Sequence, residues 1–88
     1  MPFWTKRALQ DLDDILHYIA KDDPDTANDI AEKIDLVANG LDKFPRTGRD
    51  GSIPGTRELV FSKLPYVFVY RITHRVELLR LLHSRQNR

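Results

Sequence analysis

Two consecutive apolar segments decide the fold: "PYVFVYRIT" at residues 65–73 and "VELLRLLHS" at residues 76–84. β-Branched, aromatic and leucine residues dominate both, and turn residues flank them, which predicts two β-strands. The link "THR" at residues 73–75 is short enough for a β-hairpin. "TRELVFS" at residues 56–62 has the same character and predicts a third strand, and "PFW" at residues 2–4 can add a further edge strand.

The first half of the sequence has a helical periodicity instead. Apolar residues recur at intervals of three and four in residues 5–23 and again in residues 23–45. Thr5 and Asp23 are suitable N-caps, and the connection "KDDPD" is short enough to fold the two helices into an antiparallel hairpin. The glycines and prolines of "PRTGRDGSIPG", residues 45–55, predict a loop.

This order of elements predicts an α+β fold in a single domain, residues 1–88. We expect an N-terminal antiparallel helical hairpin packed on one face of a small, mainly antiparallel β-sheet, with the other face open. Side chains alternate between the faces of a strand, so every second residue of the central strand belongs to the core. Those residues are Tyr66, Phe68, Tyr70 and Ile72.

Composition excludes several classes of protein. The 88 residues contain no cysteine, which excludes disulfides, thiolate zinc sites and a cysteine nucleophile. His17, His74 and His83 lie in three separate elements without the spacing of metal ligands, so we expect no metal site and no cofactor. No apolar stretch is long enough to span a bilayer, and we expect a cytoplasmic protein without membrane contact.

Charge is divided unequally between the two halves. Residues 1–44 carry five Lys or Arg against ten Asp or Glu, a net charge of −5. Residues 45–88 carry nine against three, a net charge of +6. This division predicts an acidic surface and a basic surface able to attract a polyanion. The alternative is that the two halves pair with each other.

Basic side chains fall at or near the ends of the predicted strands. On a regular last strand, Arg80 and His83 face opposite ways. Both can reach one site only if a twist or bulge intervenes near Leu82. The simpler alternative for a strand-end arginine is a surface ion pair, for which Glu58 and Glu77 are available.

Several segments, in their order and spacing, carry a resemblance to a known family. They are "ALQDLDDILHYIAKDDPDTA", a loop holding a proline and a glycine, "GTREL", "YVFVYRI" and "VELLRLLHSRQ". Together they cover nearly the whole chain, which resembles the RelE/ParE superfamily of toxins from type II toxin–antitoxin modules. The resemblance implies a small α+β toxin that a cognate antitoxin protein neutralises in a hetero-oligomer.

The superfamily divides by target. RelE-like members cut messenger RNA on the ribosome, whereas ParE-like members poison DNA gyrase and have no known nuclease site. Arg57 in "GTREL" falls where RelE-like toxins keep an arginine that acts on the scissile phosphate, and His83 falls where some RNA-cleaving relatives place a catalytic histidine. However, "LLH" followed by basic residues also occurs in ParE-like sequences, and the helical hairpin is closer to the ParE-like pattern. The motifs leave the target open.

The chemistry of metal-independent RNA cleavage favours a nuclease. The substrate's 2′-hydroxyl supplies the nucleophile, so the protein needs an acid or base near neutral pKa and cations for the charge on phosphorus. His83 suits the first role and Arg57 the second, while Tyr66 or Tyr70 could stack on a base. The candidates for binding RNA phosphates are Arg80, Arg85, Lys63 and Arg71.

Three hypotheses for function therefore remain. The first is a ribosome-dependent endoribonuclease, the second is an inhibitor of DNA gyrase, and the third is a toxin relic or binding module without either activity. The predicted partners are the antitoxin together with the ribosome and its mRNA, or alternatively gyrase. Since the predicted functional surface is basic, we expect the antitoxin to contribute an acidic segment that folds on binding.

Overall fold

The structure, a computed structural model, describes residues 1–85. The chain begins with a two-residue strand, continues through two α-helices and a turn of 3₁₀ helix, and ends in four further strands. In chain order the elements are β1 (Phe3–Trp4), α1 (Lys6–Ala20), α2 (Pro24–Lys43), the 3₁₀ turn (Pro45–Thr47), β2 (Arg49–Asp50), β3 (Arg57–Val60), β4 (Tyr66–Ile72) and β5 (Val76–His83). The predicted α+β architecture is confirmed.

The five strands form one sheet in the order β1-β5-β4-β3-β2. Strands β2 to β5 pair antiparallel with their neighbours, and the predicted edge strand β1 pairs parallel to β5. Strand β2 lies inside the segment predicted as a loop, and its two residues pair with Arg57 and Glu58 of β3. Both residues of β2 are charged, so they lack the aromatic or β-branched character from which the other strands were predicted.

Both helices begin at the predicted caps. The Thr5 hydroxyl accepts a hydrogen bond from the Ala8 amide, and the Asp23 carboxylate accepts one from the Thr26 amide. Thr5 also donates its hydroxyl to the Leu78 carbonyl oxygen at 2.8 Å, which fixes the start of α1 against β5. No described helix is both long and apolar enough to cross a membrane.

The core lies between the helical hairpin and one face of the sheet. Residues from both helices and from strands β4 and β5 meet there, and Phe68, Tyr70 and Leu78 are fully buried. The prediction for Tyr66, Phe68 and Tyr70 is confirmed, and Ile72 packs against the core partly buried. The buried side chains from the helices are Ala8, Asp11, Ala27, Ile34, Ala38 and Leu41.

A β-bulge interrupts the pairing of β4 with β5. Val69 lies opposite Arg80 and Tyr70 lies opposite Leu78, so Leu79 is an extra residue on β5. A bulge near Leu82 was the condition under which Arg80 and His83 could reach one site, but residues 80–83 pair regularly with β4 and the bulge lies before them, at Leu79. An extra residue restores the alternation of faces, so that Leu78 and Leu81, three positions apart, both reach the core.

A buried tyrosine hydroxyl holds the segment after α2. The Tyr70 hydroxyl donates to the Pro45 carbonyl oxygen at 2.6 Å and accepts from the Gly48 amide at 2.9 Å. A side chain on residue 48 would collide with the Tyr70 ring and with the backbone of Glu58, so glycine is required at this close approach. Tyr70 is therefore structural and cannot stack on a base.

Candidate functional site

A groove lies between α1 and the C-terminal end of β5. Its volume is about 530 Å³, and its polar lining includes Arg7, Asp11, Tyr18, Tyr66, Arg80 and His83. The groove forms because β1 covers only the first part of β5, pairing with Glu77 and Leu78. Beyond that point α1, rather than another strand, lies beside β5.

His83 is a half-buried residue at the end of this groove. Its ring meets the Tyr66 ring edge to face, with centroids 6.0 Å apart, and its Nδ1 lies 3.2 Å from the Arg85 amide. That contact places the acceptor at Nδ1, which leaves Nε2 as the protonated nitrogen of the neutral ring. Burial raises the pKa of Tyr66 above its usual range, so Tyr66 remains a neutral hydroxyl donor.

Arg80 enters the same groove, but a carboxylate of α1 holds it. Arg80 Nε and Nη2 donate to the two Asp11 oxygens at 2.8 Å and 3.2 Å. The Leu81 amide also donates to Asp11, at 2.9 Å, and Arg7 Nε lies 3.7 Å from the carboxylate. These bonds raise the pKa of Arg80, which remains a cation whose charge Asp11 compensates.

Asp11, the partner of Arg80, was not among the residues predicted for the site. The residue is only 9% exposed, although aspartate is almost never buried without a partner. Its position supplies a signal, because Asp11 lies within the apolar stripe that Ala8, Leu12 and Ile15 define on α1. A carboxylate in such a stripe predicts a buried cationic or amide partner, but the helix does not reveal which one.

The structure does not bring Arg57 and His83 together. Arg57 pairs with Tyr70 and His83 pairs with Tyr66, so their partners on β4 are four residues, or about 13 Å, apart along the strand. Arg57 also lies on β3, on the other side of β4 from His83. Its Nη1 donates to the Gly48 carbonyl oxygen at 2.8 Å, which ties β3 to the segment before β2.

The remaining predicted cations are dispersed over the molecule. Arg71 lies near the turn between β4 and β5, where its Nε donates to Glu77 at 2.6 Å. Lys63 is exposed in the link between β3 and β4, and Arg85 is exposed just after β5, next to His83. Phosphate binding by these three residues stays a prediction. Within residues 1–85, no group of three His, Asp or Glu side chains is arranged to hold a metal ion.

One histidine, two tyrosines and two arginines thus line the groove. Tyr66 is a neutral hydroxyl, Asp11 compensates the charge of Arg80, and Arg7 is the more exposed of the two arginines. The ring nitrogens of His83 can donate or accept a hydrogen bond, and the Tyr66 hydroxyl can donate one. The carboxylate of Asp11 lies where a phosphate would otherwise contact Arg80, so an anion entering the groove meets competition. The arrangement suits the binding of a mixed apolar and polar surface better than the binding of a phosphodiester.

Comparison with known proteins extends over the whole chain. Residues 3–88 match the family described as the ParE toxin of the type II toxin–antitoxin system parDE. Y4kP of Sinorhizobium fredii, named as a candidate toxin, is 46% identical over 83 residues, or 94% of this chain and 86% of that protein. Toxin RelE2 of Caulobacter vibrioides is 35% identical over 82 residues, or 92% of this chain and 91% of that protein.

A solved structure shows the same fold. It is a chain of the chromosomal ParDE toxin–antitoxin system from P. aeruginosa, which superimposes with a TM-score of 0.81 at 27% sequence identity. The match covers 93% of this chain and 92% of the solved chain. The similarity therefore includes both the helical hairpin and the sheet.

Proposed function

Because this chain belongs to the ParE toxin family of type II toxin–antitoxin systems, we propose that it arrests growth by inhibiting DNA gyrase rather than by cutting messenger RNA. The chemistry of the sequence had favoured the nuclease, and the proposal now prefers the gyrase inhibitor. Inhibition by binding requires no nucleophile and no acid–base pair. It requires a surface complementary to the target, which the groove beside β5 can supply.

The ion pair between Arg80 and Asp11 is the observation that carries this proposal. Metal-independent cleavage requires a cation that contacts the phosphate in the transition state, close to the group that transfers the proton. Arg80 shares the groove with His83, but its Nε and Nη2 both bind Asp11. The other catalytic candidate, Arg57, lies on the far side of β4. The geometry therefore supports a binding role.

The test compares DNA synthesis with protein synthesis after the toxin is induced without its antitoxin. Pulse labelling of both processes should show that DNA synthesis falls first. With purified components, the toxin should inhibit supercoiling of relaxed plasmid by gyrase, and it should leave a ribosome-bound mRNA intact. An early fall in protein synthesis, accompanied by cleaved mRNA, would overturn the proposal.

A double variant makes this test sharper. Substitution of Arg57→Ala and His83→Gln together should leave the order of events unchanged, with DNA synthesis falling before protein synthesis, because neither group acts on a phosphodiester. Growth arrest should weaken only as far as the groove loses contacts of His83. The matched control combines Arg46→Ala with His74→Gln, which changes the same residue types at exposed positions of the 3₁₀ turn and of the β4–β5 turn. Far-UV circular dichroism should confirm that both variants fold.

RNA cleavage remains the second candidate because His83 and Tyr66 are in contact within a groove. In this case His83 would act as the general acid or base, and its loss would lower the rate by about 10²-fold or more. Loss of both mRNA cleavage and toxicity in the folded double variant, with both retained in the control, would support the nuclease. Retained toxicity in both would exclude it.

We also propose that the cognate antitoxin binds the basic half of the toxin through an acidic segment. The ParDE neighbour is a toxin–antitoxin assembly, which supports a hetero-oligomer here. Because exposed charges are screened by salt, the affinity of the complex should fall as ionic strength rises. Titration calorimetry at several salt concentrations measures this dependence, and a flat profile would contradict the electrostatic part of the proposal.

A further inference from the structure

Two arginines share one buried carboxylate at the turn end of the β4–β5 hairpin. Glu77 is 9% exposed and lies opposite Arg71 in the sheet. Glu77 Oε1 accepts from Arg71 Nε at 2.6 Å, and Glu77 Oε2 lies 3.6 Å from Arg75 Nε. The guanidinium carbon of Arg75 lies 3.9 Å from the centre of the Phe3 ring. We call Phe3, Arg71, Arg75 and Glu77 the hairpin arginine cluster.

The guanidinium groups of the cluster keep their terminal nitrogens exposed. Both arginines contact Glu77 through Nε, and within the described chain their terminal Nη nitrogens make no hydrogen bond. The side chains of Arg71 and Arg75 are 52% and 43% exposed. Arg80, in contrast, places both Nε and Nη2 on Asp11.

The cluster is also fixed in place before any ligand arrives. The carboxylate restrains both side chains, the Phe3 ring supports Arg75, and the turn is closed by a bond from the Thr73 amide to the Arg75 carbonyl oxygen. Two guanidinium groups against one carboxylate leave a net positive charge, and His74 lies exposed between them in the turn. Little side-chain entropy remains to be lost when an anion binds.

The chemistry of the exposed groups indicates a phosphate ligand. A guanidinium fork donates two parallel hydrogen bonds to the oxygens of a phosphate, and adjacent forks can contact successive phosphates of a strand. The cluster lies at the exposed turn end of the β4–β5 hairpin. A hairpin end can approach the backbone of a duplex, and the side-by-side forks match the repeated phosphates of a strand better than the scattered carboxylates of a peptide. We propose that the hairpin arginine cluster binds the phosphodiester backbone of duplex DNA through the Nη groups of Arg71 and Arg75.

This site is separate from the groove at the other end of β5, so it does not depend on which macromolecule the toxin inhibits. Toxicity that persists after DNA binding is lost would leave the proposed function intact. DNA binding that persists when gyrase is not inhibited would leave the present inference intact.

Fluorescence anisotropy with a labelled DNA duplex of about one helical turn tests the site in the full-length toxin. Arg75→Gln should weaken binding by about 5- to 10-fold and reduce the slope of log K against log salt by about 1. Arg46→Gln is the matched control, because it removes the same charge from an exposed position of the 3₁₀ turn. Equal losses in the two variants would overturn the site in favour of unspecific attraction.

Two further variants test how the cluster works. Arg75→Lys keeps the charge but removes the fork, and we expect it to recover less than half of the lost affinity. Glu77→Gln raises the net charge, so general attraction would tighten binding, whereas loss of the restraint should weaken it at least about 3-fold. Tighter binding by folded Glu77→Gln would contradict the proposal.

The ligand class is tested by competition. A glutamate-rich peptide and a single-stranded RNA, each matched to the duplex in charge concentration, should displace the labelled duplex less effectively than unlabelled duplex does. If the peptide competes equally and with the same sensitivity to Arg75→Gln, the site binds acidic protein instead. If the RNA binds more tightly than the duplex, the assignment to duplex DNA is wrong.

Discussion

At the scale of single residues, the carboxylate of Asp11 joins the helical layer to the sheet. It accepts hydrogen bonds from the Arg80 side chain and from the Leu81 amide, so it satisfies a backbone group at an edge of β5 that β1 does not reach. An unsatisfied amide at this place would cost roughly 1–3 kcal/mol. Asp11 is therefore part of the walls of the groove rather than a reactive group within it.

Substitution of Asp11→Asn should lower the free energy of unfolding by about 2–3 kcal/mol. The amide would turn a donor toward Arg80 or leave the Leu81 amide unpaired, and Arg80 would lose its compensating charge. Asp29→Asn on the exposed surface of α2 is the control and should change stability by less than about 0.5 kcal/mol. Urea denaturation measures both, and equal effects would show that Asp11 is not structural.

Glu77 should make stability depend on pH in the acid range. The hydrogen bond from Arg71 holds the pKa of Glu77 below its ordinary value of 4.5. Because the folded state favours the ionised form, this contribution is present above pH 4.5 and is lost as pH falls through the lower folded-state pKa. Thermal melting between neutral and acid pH should show a smaller decrease in Tm for Glu77→Gln than for the wild type.

A second carboxylate, the exposed helix cap Asp23, should add to the pH dependence of stability. The pKa of Asp23 is also lowered, by its capping bonds to Thr26, so it adds a similar dependence that Glu77→Gln leaves unchanged. The double variant Glu77→Gln, Asp23→Asn should therefore be flatter with pH than either single variant. Identical profiles for all four proteins would contradict both assignments.

Elements that depend on local sequence were predictable, and those that depend on distant partners were not. Periodicity and caps identified both helices, because N-caps act within three residues. β2 and the bulge at Leu79 arise from pairing between strands, which no local pattern encodes. Leu9 and Phe44 follow the helical spacing of apolar residues in the sequence, yet they are 50% and 70% exposed, because spacing alone does not show what packs against a helix.

The candidate site shows the same limit. Sequence identified His83 as a candidate acid or base and Arg80 as a candidate phosphate-binding cation, and both line the groove. It could not reveal that Asp11, 69 positions from Arg80 in the chain, would bind it. The sequence also could not reveal that Arg57, on β3, would bind the Gly48 carbonyl oxygen and lie away from His83.

The role of the bulge can be tested with two variants that each lack one leucine of β5 and so have the same composition. Removing one leucine before Arg80 removes the extra residue, so Leu78 and Leu81 both still face the core and melting should remain cooperative. Removing one leucine after Arg80 moves His83 to the opposite face, so its contact with Tyr66 should be lost. Thermal melting and the NMR signals of the Tyr66 ring distinguish the two variants.

We expect the removal before Arg80 to be the less destabilising of the pair, since it preserves both faces of the sheet. A larger loss of stability from that removal would show that the twist at Leu79 matters more than the alternation of faces. In that case the bulge would be needed to bring Arg80 within reach of Asp11.

At the scale of the whole molecule, both halves of the chain contribute to one core. Trp4 of β1 packs edge to face on Phe68 of β4, with ring centroids 5.5 Å apart, and Ile34 and Leu41 of α2 belong to the same cluster. Because the helices and the sheet share this core, we expect a single cooperative transition. Trp4 fluorescence reports on the sheet, and far-UV circular dichroism reports mainly on the helices.

The two signals should give the same midpoint in urea and in heat. Leu81→Ala, at a position 2% exposed, should shift both midpoints together and cost roughly 2–5 kcal/mol. Leu36→Ala, at a position 71% exposed on α2, is the matched control and should shift neither appreciably. Separate midpoints would show that the helical hairpin melts independently of the sheet.

The layered fold places the acidic and basic halves of the sequence on opposite sides of the molecule. The acidic half supplies both helices and the basic half supplies β2 to β5, so the layers carry opposite net charge and the molecule is an electric dipole across its thickness. A polyanion within about a Debye length, roughly 8 Å at physiological salt, repels the helices and attracts the sheet. The toxin is therefore turned before contact, and a larger share of its collisions begins with the sheet side foremost.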